Sequence, residues 1–524
     1  MKLNVKRIIA STLLASILTT TACSSVPEED LPVLLNFKNN DAAAVVAMID
    51  SITEATLETE SSIEAAYAAY YALEDNSQKQ VTNLEKLQTL RDEIADLYED
   101  TTKTGSRIDR SKILIGTYCF NYWDEAHVKE AADCGIDFIA SAGYSEDFMN
   151  NLEKYGIGAF VSAGYFGIPS WRGGDRPVDA HWEPYFTIET YKEAVNNAAN
   201  IDHPAIWGME LVDEPHSDDL PFIGQEVAAY NEVNPDKLVY INLFPNYAGP
   251  NQVGSNTYVE HVAEYVKNVN TDYISYDHYM YGHDNGKTVN FGRYIENMRI
   301  VADACRATNK DYWIVVQANS NNPDEYTSIE KLRFQAYSAL AFGYTVINWA
   351  CWNPGWFYNN ICDSAGNKTE QYDKVQQVNA EINQLSPVFM KYKNLDANII
   401  GCSKESTVEF LANDDNVIDQ NVFTDIHMAE KAYNTMLCGY FEKRIGEGYA
   451  MMFVNITDET CDTETFSDVE FKVSKADVIV TEHNLQGSFI LSPDENGYYK
   501  VSIENAEYSF VTVEDAPVEV AVQE

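Results

Sequence analysis

The chain has 524 residues, 45% of them apolar and 22% charged, a balance that excludes disorder along its whole length. Its 81 acidic and 36 basic side chains give a net charge of −45, which repels phosphate backbones and excludes nucleic-acid binding as a function class. No apolar run reaches the ~18 residues that span a bilayer, and the 34 Tyr and 8 Trp suit sugar rings and ordinary cores alike.

The first predicted element is an address. Lys2, Lys6 and Arg7 form a basic region, residues 8–18 an apolar one, and Thr20-Thr21-Ala22-Cys23 follows. This is the pattern of a secretory signal, expected to cover 1–22. The Cys after small residues resembles a bacterial lipoprotein cleavage box, although Thr20 stands where that box commonly has Leu. The resemblance implies that Cys23 becomes the lipidated first residue of the mature protein. A lipid anchor would then hold the chain at the extracellular face of the bacterial cell membrane. Residues 23–32 read as an acidic tether.

From 33 to 104 the apolar residues recur with helical period. One stripe holds Ala43, Val46 and Ile49, a second Ile63, Ala66 and Tyr70, a third Val81, Leu84, Leu87, Leu90, Ile94 and Leu97. Two or three antiparallel helices are expected, and the segment resembles small helical spacer modules of gram-positive surface proteins. From 105 to 397 short apolar runs alternate with helix-length segments. The expected strands are 112–118, 135–142, 156–163, 205–212, 237–243, 272–276, 311–316 and 344–349. Eight such strands predict an α/β fold, a (β/α)8 TIM barrel. A doubly wound open sheet is the alternative; it is expected to carry a glycine-rich phosphate loop, and no G-x-G-x-x-G stands here. From 398 to 518 the helical period disappears, and short alternating runs with turns predict an antiparallel β-sandwich.

Chemistry in such a barrel sits after the strands. Strand four ends Asp213-Glu214-Pro215-His216. Counting back by two from Glu214 gives Val212 and Glu210, a set expected to face one side. A carboxyl in a sheltered strand mouth holds its proton and suits a general acid, although Asp-Glu-Pro also makes good helix-capping chemistry. The cysteines include no CxxC pair and read as free buried thiols. His203 reads as a loop residue, and with no HxH or HExxH no metal site is expected.

The run Gly208-Met209-Glu210-Leu211-Val212-Asp213-Glu214-Pro215 resembles the strand-four motif of clan A glycoside hydrolases, G-x-E-x-x-N-E-P. The resemblance implies that Glu214 is the acid/base and that Asp213 replaces an Asn contacting the sugar 2-hydroxyl. Strand six ends Asp277-His278-Tyr279, similar to the clan's D-x-Y or H-x-Y signature. Trp349, Trp352 and Trp356 fall where the clan keeps a tryptophan sugar platform. The strand-seven slot of the clan's nucleophilic Glu is occupied by Gln317, an amide that cannot form a glycosyl ester at ordinary rates. Three readings stay open. Another carboxylate, best Asp277, supplies the nucleophile or base; or the enzyme inverts, with water held in a gap of ~6.5–9.5 Å; or the barrel binds sugar without cleaving it.

The expectation is therefore a monomeric, surface-anchored glycoside hydrolase acting on an extracellular oligo- or polysaccharide without cofactor. Glu214 and Asp277 are its catalytic candidates. Asp213, His278, Tyr279, Gln317, Trp349, Trp352, Asn242 and Tyr118 are its sugar-contact candidates, and Tyr144, Tyr165, Trp171 and Tyr247 are further rim residues. The alternative is a non-catalytic carbohydrate-binding surface lipoprotein.

Overall fold

The computed structural model describes residues 42–56, a broken set from 59 to 93, 112–170, 186–198, 201–281, 289–402, and 407–515 apart from 409–410, 412–421, 430–433 and 445–446. The signal segment, Cys23, the tether and Trp171 lie outside the described residues. Among those residues no helix is long and apolar enough to cross a membrane.

Helix α1, Ala42–Ser51, buries Val45 and Ile49 against Ile63, Ala66, Leu73, Val81, Leu87 and Leu90. This small core shares no residue with the core of the barrel that follows.

Eight parallel strands close into a barrel: β1 Leu114–Thr117, β2 Phe138–Ala142, β3 Gly158–Ser162, β4 Ile206–Asp213, β5 Leu238–Leu243, β6 Tyr273–Asp277, β7 Asp311–Gln317 and β8 Val346–Ala350. The seam is β1 on β8, with Leu114 opposite Val346 and Thr117 opposite Trp349. The surrounding helices are α2 Glu125–Asp133, α3 Glu146–Tyr155, α4 Ile188–Asn197, α5 Leu220–Val233, α6 Tyr258–Asn268, α7 Phe291–Thr308, α8 Ile329–Ala341 and α9 Glu370–Phe389. Local chemistry sets their ends. Asp124 caps α2 by accepting from the Ala126 and His127 amides, and Ser145 caps α3, which stops at Gly156 with φ 71°.

Each strand buries both faces. Ile115, Ile139, Val161, Ile241, Ile314 and Ile347 face the helices. Phe138, Phe160, Tyr240, Tyr273 and Trp313 fill the interior. Rings from β2 and β3 reach Trp313 of β7 at 5.7 and 5.9 Å, and Tyr273 stacks on it at 3.8 Å. The barrel floor is thus a packed aromatic plug, and polar groups gather above it at the C-terminal mouth.

Helix α9 leads into β9, Tyr392–Ile400, ahead of the boundary expected at 398. The remaining strands are β10 Phe423–Met428, β11 Met436–Lys443, β12 Tyr449–Asn455, β13 Phe466–Val473, β14 Val478–Asn484, β15 Gly487–Ile490, β16 Tyr499–Glu504 and β17 Tyr508–Asp515. They form a six-stranded sheet, β15-β14-β17-β12-β11-β9, and a three-stranded sheet, β10-β13-β16. Met436, Cys438, Met451 and Phe453 of the larger sheet pack with Phe423, Val469, Phe471 and Ile503 of the smaller. This is the sandwich the sequence predicts.

The other face of the large sheet belongs to the barrel's outer core. Phe389 of α9 lies 5.4 Å from Phe441 and 5.6 Å from Phe510. Gly439 is required at this junction, since a Cβ there would sit 2.0 Å from the Ala341 carbonyl oxygen at the end of α8. Arg333 of α8 pairs with Glu381 at 2.5 Å and with Glu507 at 3.4 Å, tying both helices to the sheet.

Candidate active site

Strand β4 does not keep a simple alternation. Glu210 lies opposite Tyr240 but Val212 opposite Ile241, so the β4 register slips by one residue at Leu211. This bulge corrects the expectation that Glu210, Val212 and Glu214 share a face. Leu211 and Val212 enter the outer core. Glu210 instead accepts hydrogen bonds from the Ser141 hydroxyl of β2, at 2.8 Å, and the Ser162 hydroxyl of β3. Burial raises the Glu210 carboxyl pKa against the opposing pull of those two hydroxyls.

Beyond the bulge Asp213 pairs with Asn242 of β5. The Asn242 amide nitrogen donates to Asp213 Oδ1 at 3.2 Å and to Asp277 Oδ1 at 2.8 Å, and its oxygen accepts from the Ser275 hydroxyl at 2.9 Å. One amide thus bridges two carboxyl groups from β4 and β6. Asp277 is 5% exposed, while Asp213 keeps open access to solvent at the mouth. Both pKa values are raised. For Asp277 desolvation leads and the Asp213 charge follows, reaching about 8; for Asp213 desolvation of the carboxyl leads and the Glu210 charge follows, against the Asn242 hydrogen bond, reaching about 6. At neutral pH the pair therefore holds close to one proton between its two carboxyls.

Glu214 follows at the rim, half-buried, with its backbone in the left-handed region at φ 50° and its amide donating to the Asn242 carbonyl at 2.7 Å. A non-glycine residue there is strained, and such strain collects at functional sites. Its charge and that of Asp277 both act on the Tyr247 hydroxyl, whose pKa burial raises. Glu214, Tyr247 and Asp277 therefore share one neighbourhood.

Aromatic hydroxyls complete the mouth. The Tyr118 hydroxyl of the segment after β1 donates across the barrel to the Tyr240 hydroxyl of β5 at 2.9 Å, and Tyr240 meets the Ser275 hydroxyl at 3.2 Å. The Trp356 ring lies 6.0 Å from the rings of both Tyr118 and Tyr279. Gln317 ends β7 in phase with the interior residues Trp313 and Val315, and it has no exposed surface. Its oxygen accepts from the Tyr281 amide at 3.2 Å, and its amide nitrogen has no hydrogen-bond partner among the described residues. Beside Tyr247 a cavity of about 330 Å³ is lined by Asn246, Asn256, Thr257, Tyr258 and Arg293.

Three expected sugar contacts lie elsewhere. Trp349 points outward, where its indole nitrogen donates to Asn379 of α9 at 2.8 Å. Trp352 is 1% exposed and packs on Phe120 and Tyr372 at 5.7 and 5.9 Å. His278 is fully buried, edge-on to Tyr247 at 4.9 Å and Tyr294 at 5.2 Å, and so backs Tyr247. The structure brings together Tyr118, Asp213, Glu214, Asn242, Asp277, Tyr279 and Gln317. To these it adds Glu210, Ser141, Ser162, Tyr240 and Ser275, which the sequence reading did not name as site residues. Ser275 and Tyr240 carried a usable signal, since each lies two residues before a site residue on its own strand. Among the described residues no cluster of three or more His, Cys, Asp or Glu could hold a metal ion.

No family model and no curated protein matches the chain. Among solved structures it is similar to a catalytic mutant of a family 42 β-galactosidase from G. stearothermophilus, at 8% identity and TM-score 0.43, covering 78% of this chain and 99% of that one. It is similar to a family 30 subfamily 8 xylanase from Clostridium acetobutylicum, at 10% identity and TM-score 0.38, covering 77% and 96%. A third is the β-galactosidase of the psychrophilic Marinomonas ef1, at 9% identity and TM-score 0.39, covering 52% of this chain and 60% of that one. The chain thus spans about 60% of the length of that β-galactosidase. At these identities and scores the comparisons assign neither an activity nor a substrate.

Proposed function

We propose that the chain is a glycoside hydrolase acting on an extracellular glycan, held at the cell surface by lipid on Cys23. The observation that carries this reading is the carboxyl group cluster at the barrel mouth: Asp213 and Asp277 bridged by one Asn242 amide, with Glu214 beside them. Hydrolysis of an acetal needs one group that gives a proton to the leaving oxygen and one that stays ionised. In this reading Glu214 gives the proton. Asp277 is the candidate base or nucleophile, acting when the one proton that the pair holds sits on Asp213. Asn242 holds the pair in place, while Tyr118, Tyr279 and Trp356 contact the sugar. Gln317 serves as a hydrogen-bonding amide in the slot where the resembling clan has its nucleophile.

A second reading, a carbohydrate-binding protein without hydrolysis, is favoured by one observation, the buried Gln317 amide at that slot. A panel of aryl glycosides and polysaccharides, assayed with the wild type and with Asp277→Asn, separates the two. Turnover by the wild type that falls ~10²–10⁴-fold in the variant supports hydrolysis. Binding by calorimetry with no turnover on any substrate favours the second reading.

A further inference from the structure

Two cysteines meet beside the site. The β1–β8 seam pairs Thr117 with Trp349, and bonds continue past the strand ends. Tyr118 N–H donates to the Trp349 carbonyl at 3.1 Å, Trp352 N–H to the Tyr118 carbonyl at 2.8 Å, and Asn353 N–H to the Cys119 carbonyl at 3.1 Å. Past that pair the register slips by one residue, since Tyr118 bonds the Trp349 carbonyl and the Trp352 N–H, and Cys119 and Cys351 both turn toward Gly355. Their sulfurs converge: a Cβ at Gly355 would lie 2.4 Å from Cys119 Sγ and 3.3 Å from Cys351 Sγ. Both sulfurs therefore lie within 3.3 Å of one point.

The two thiols differ in the way a reacting pair requires. Cys119 is half-buried and Cys351 fully buried. The Cys351 thiol donates to Cys119, which lowers the Cys119 pKa, while burial raises that of Cys351. The Asn319 amide also donates to Cys351 Sγ at 3.8 Å. The other described cysteines whose shifts are resolved, Cys134, Cys305, Cys362, Cys438 and Cys461, are all shifted the other way by burial. A reachable thiol held more acidic than its fellows, with a second thiol at its side, is the arrangement of a reversible oxidation site.

We propose that Cys119 and Cys351 form such a site, with a peroxide as oxidant and a disulfide across the barrel seam as product. The Cys119 thiolate attacks one oxygen of hydrogen peroxide. An S–O bond forms, the O–O bond breaks, and the departing hydroxide takes a proton to become water. Cys119 is thereby oxidised to a sulfenic acid and the peroxide is reduced. Cys351 sulfur then attacks Cys119 sulfur, and the S–O bond breaks. The hydroxide leaves with the Cys351 proton as a second water, and an S–S bond remains. The link ties the first strand to the last beside Tyr118 and Trp356. It is independent of whether the barrel cleaves its sugar.

The test treats the purified full chain with a few equivalents of hydrogen peroxide, blocks remaining thiols, and maps cross-linked peptides by mass spectrometry without reduction. The expected result is a 119–351 linked pair lighter by two hydrogens, abolished by dithiothreitol, with a melting temperature several degrees above that of the reduced chain. In Cys351→Ala, Cys119 should accumulate as a sulfenic acid trapped by dimedone. Cys119 and Cys351 both recovered as free thiols, at peroxide levels that oxidise the half-buried Met428, would overturn the proposal. So would a sulfinic Cys119 in the wild type without any linked peptide.

Discussion

At the scale of single residues the account rests on where protons sit. Asp213 and Asp277 bind their protons more tightly folded than unfolded, with pKa values near 6 and 8. For a carboxyl shifted upward, the folded state holds extra protons between the unfolded pKa and the folded one. Stability is therefore greatest at the acid end of that window and falls as pH rises through it. Asp277→Asn should flatten this loss between about pH 4 and about 8 in chemical denaturation followed across pH; an unchanged slope would mean that Asp277 is ionised throughout. The same substitution should lower turnover ~10²–10⁴-fold. Gln317→Glu is informative in the opposite direction. It restores a carboxyl at the end of β7, but in a place with no exposed surface and on the strand that pairs with that of Asp277. An increase in turnover would show that the native amide limits hydrolysis, and a loss of folding would show that the slot is built for a neutral group.

At the scale of elements the strands were readable, because buried parallel strands leave continuous apolar runs between helix-length segments. Their phase at the ends was not. Trp349 and Ala350 differ by one position, and one faces α9 while the other faces the interior. His278 and Asp277 divide in the same way. The bulge at Leu211 depends on how β4 pairs with β5, which a single strand's sequence does not record. Asp277 and Asn242 were legible as polar residues at strand ends, but their shared hydrogen bond was not, since it needs the barrel closed. Helix α5 carries a feature hidden from the sequence for the same reason. Glu226 is fully buried, neither of its carboxyl oxygens has a hydrogen-bond partner among the described residues, and desolvation raises its pKa to about 8. Its protonated form is favoured in the fold, so it too removes stability as pH rises from the unfolded carboxylate value to about 8. Glu226→Gln should remove that dependence, worth at most about 1.4 kcal/mol per pH unit within the window. Equal pH slopes for variant and wild type would contradict the burial argument.

At the scale of the whole molecule the cores predict what can be removed. The N-terminal helical residues have their own cluster, whereas the six-stranded sheet shares the barrel's outer core. Deleting 24–104 should leave the melting temperature of the barrel nearly unchanged. Phe441→Ala, which cuts the contact with Phe389 and Phe510, should cost ~3–5 kcal/mol. A large drop on the deletion would show that the helices brace the barrel. The leader is a separate matter: with Cys23→Ser the protein should leave the membrane fraction for the medium, and a wild type that is already fully soluble would contradict lipid anchoring.

The central claim is that the barrel mouth hydrolyses a glycosidic bond with Glu214 as the proton donor. Glu214→Gln keeps the shape and hydrogen bonding of the side chain and removes only its titrating proton. The direct measurement is turnover and binding of one cleaved glycan by wild type and Glu214→Gln, by product analysis and calorimetry on the same preparations. The account predicts a ~10²–10⁴-fold loss of turnover with the dissociation constant changed little. Full turnover by the variant would contradict the assignment of Glu214, and a wild type that binds the glycan in the barrel but never cleaves it would contradict hydrolysis itself.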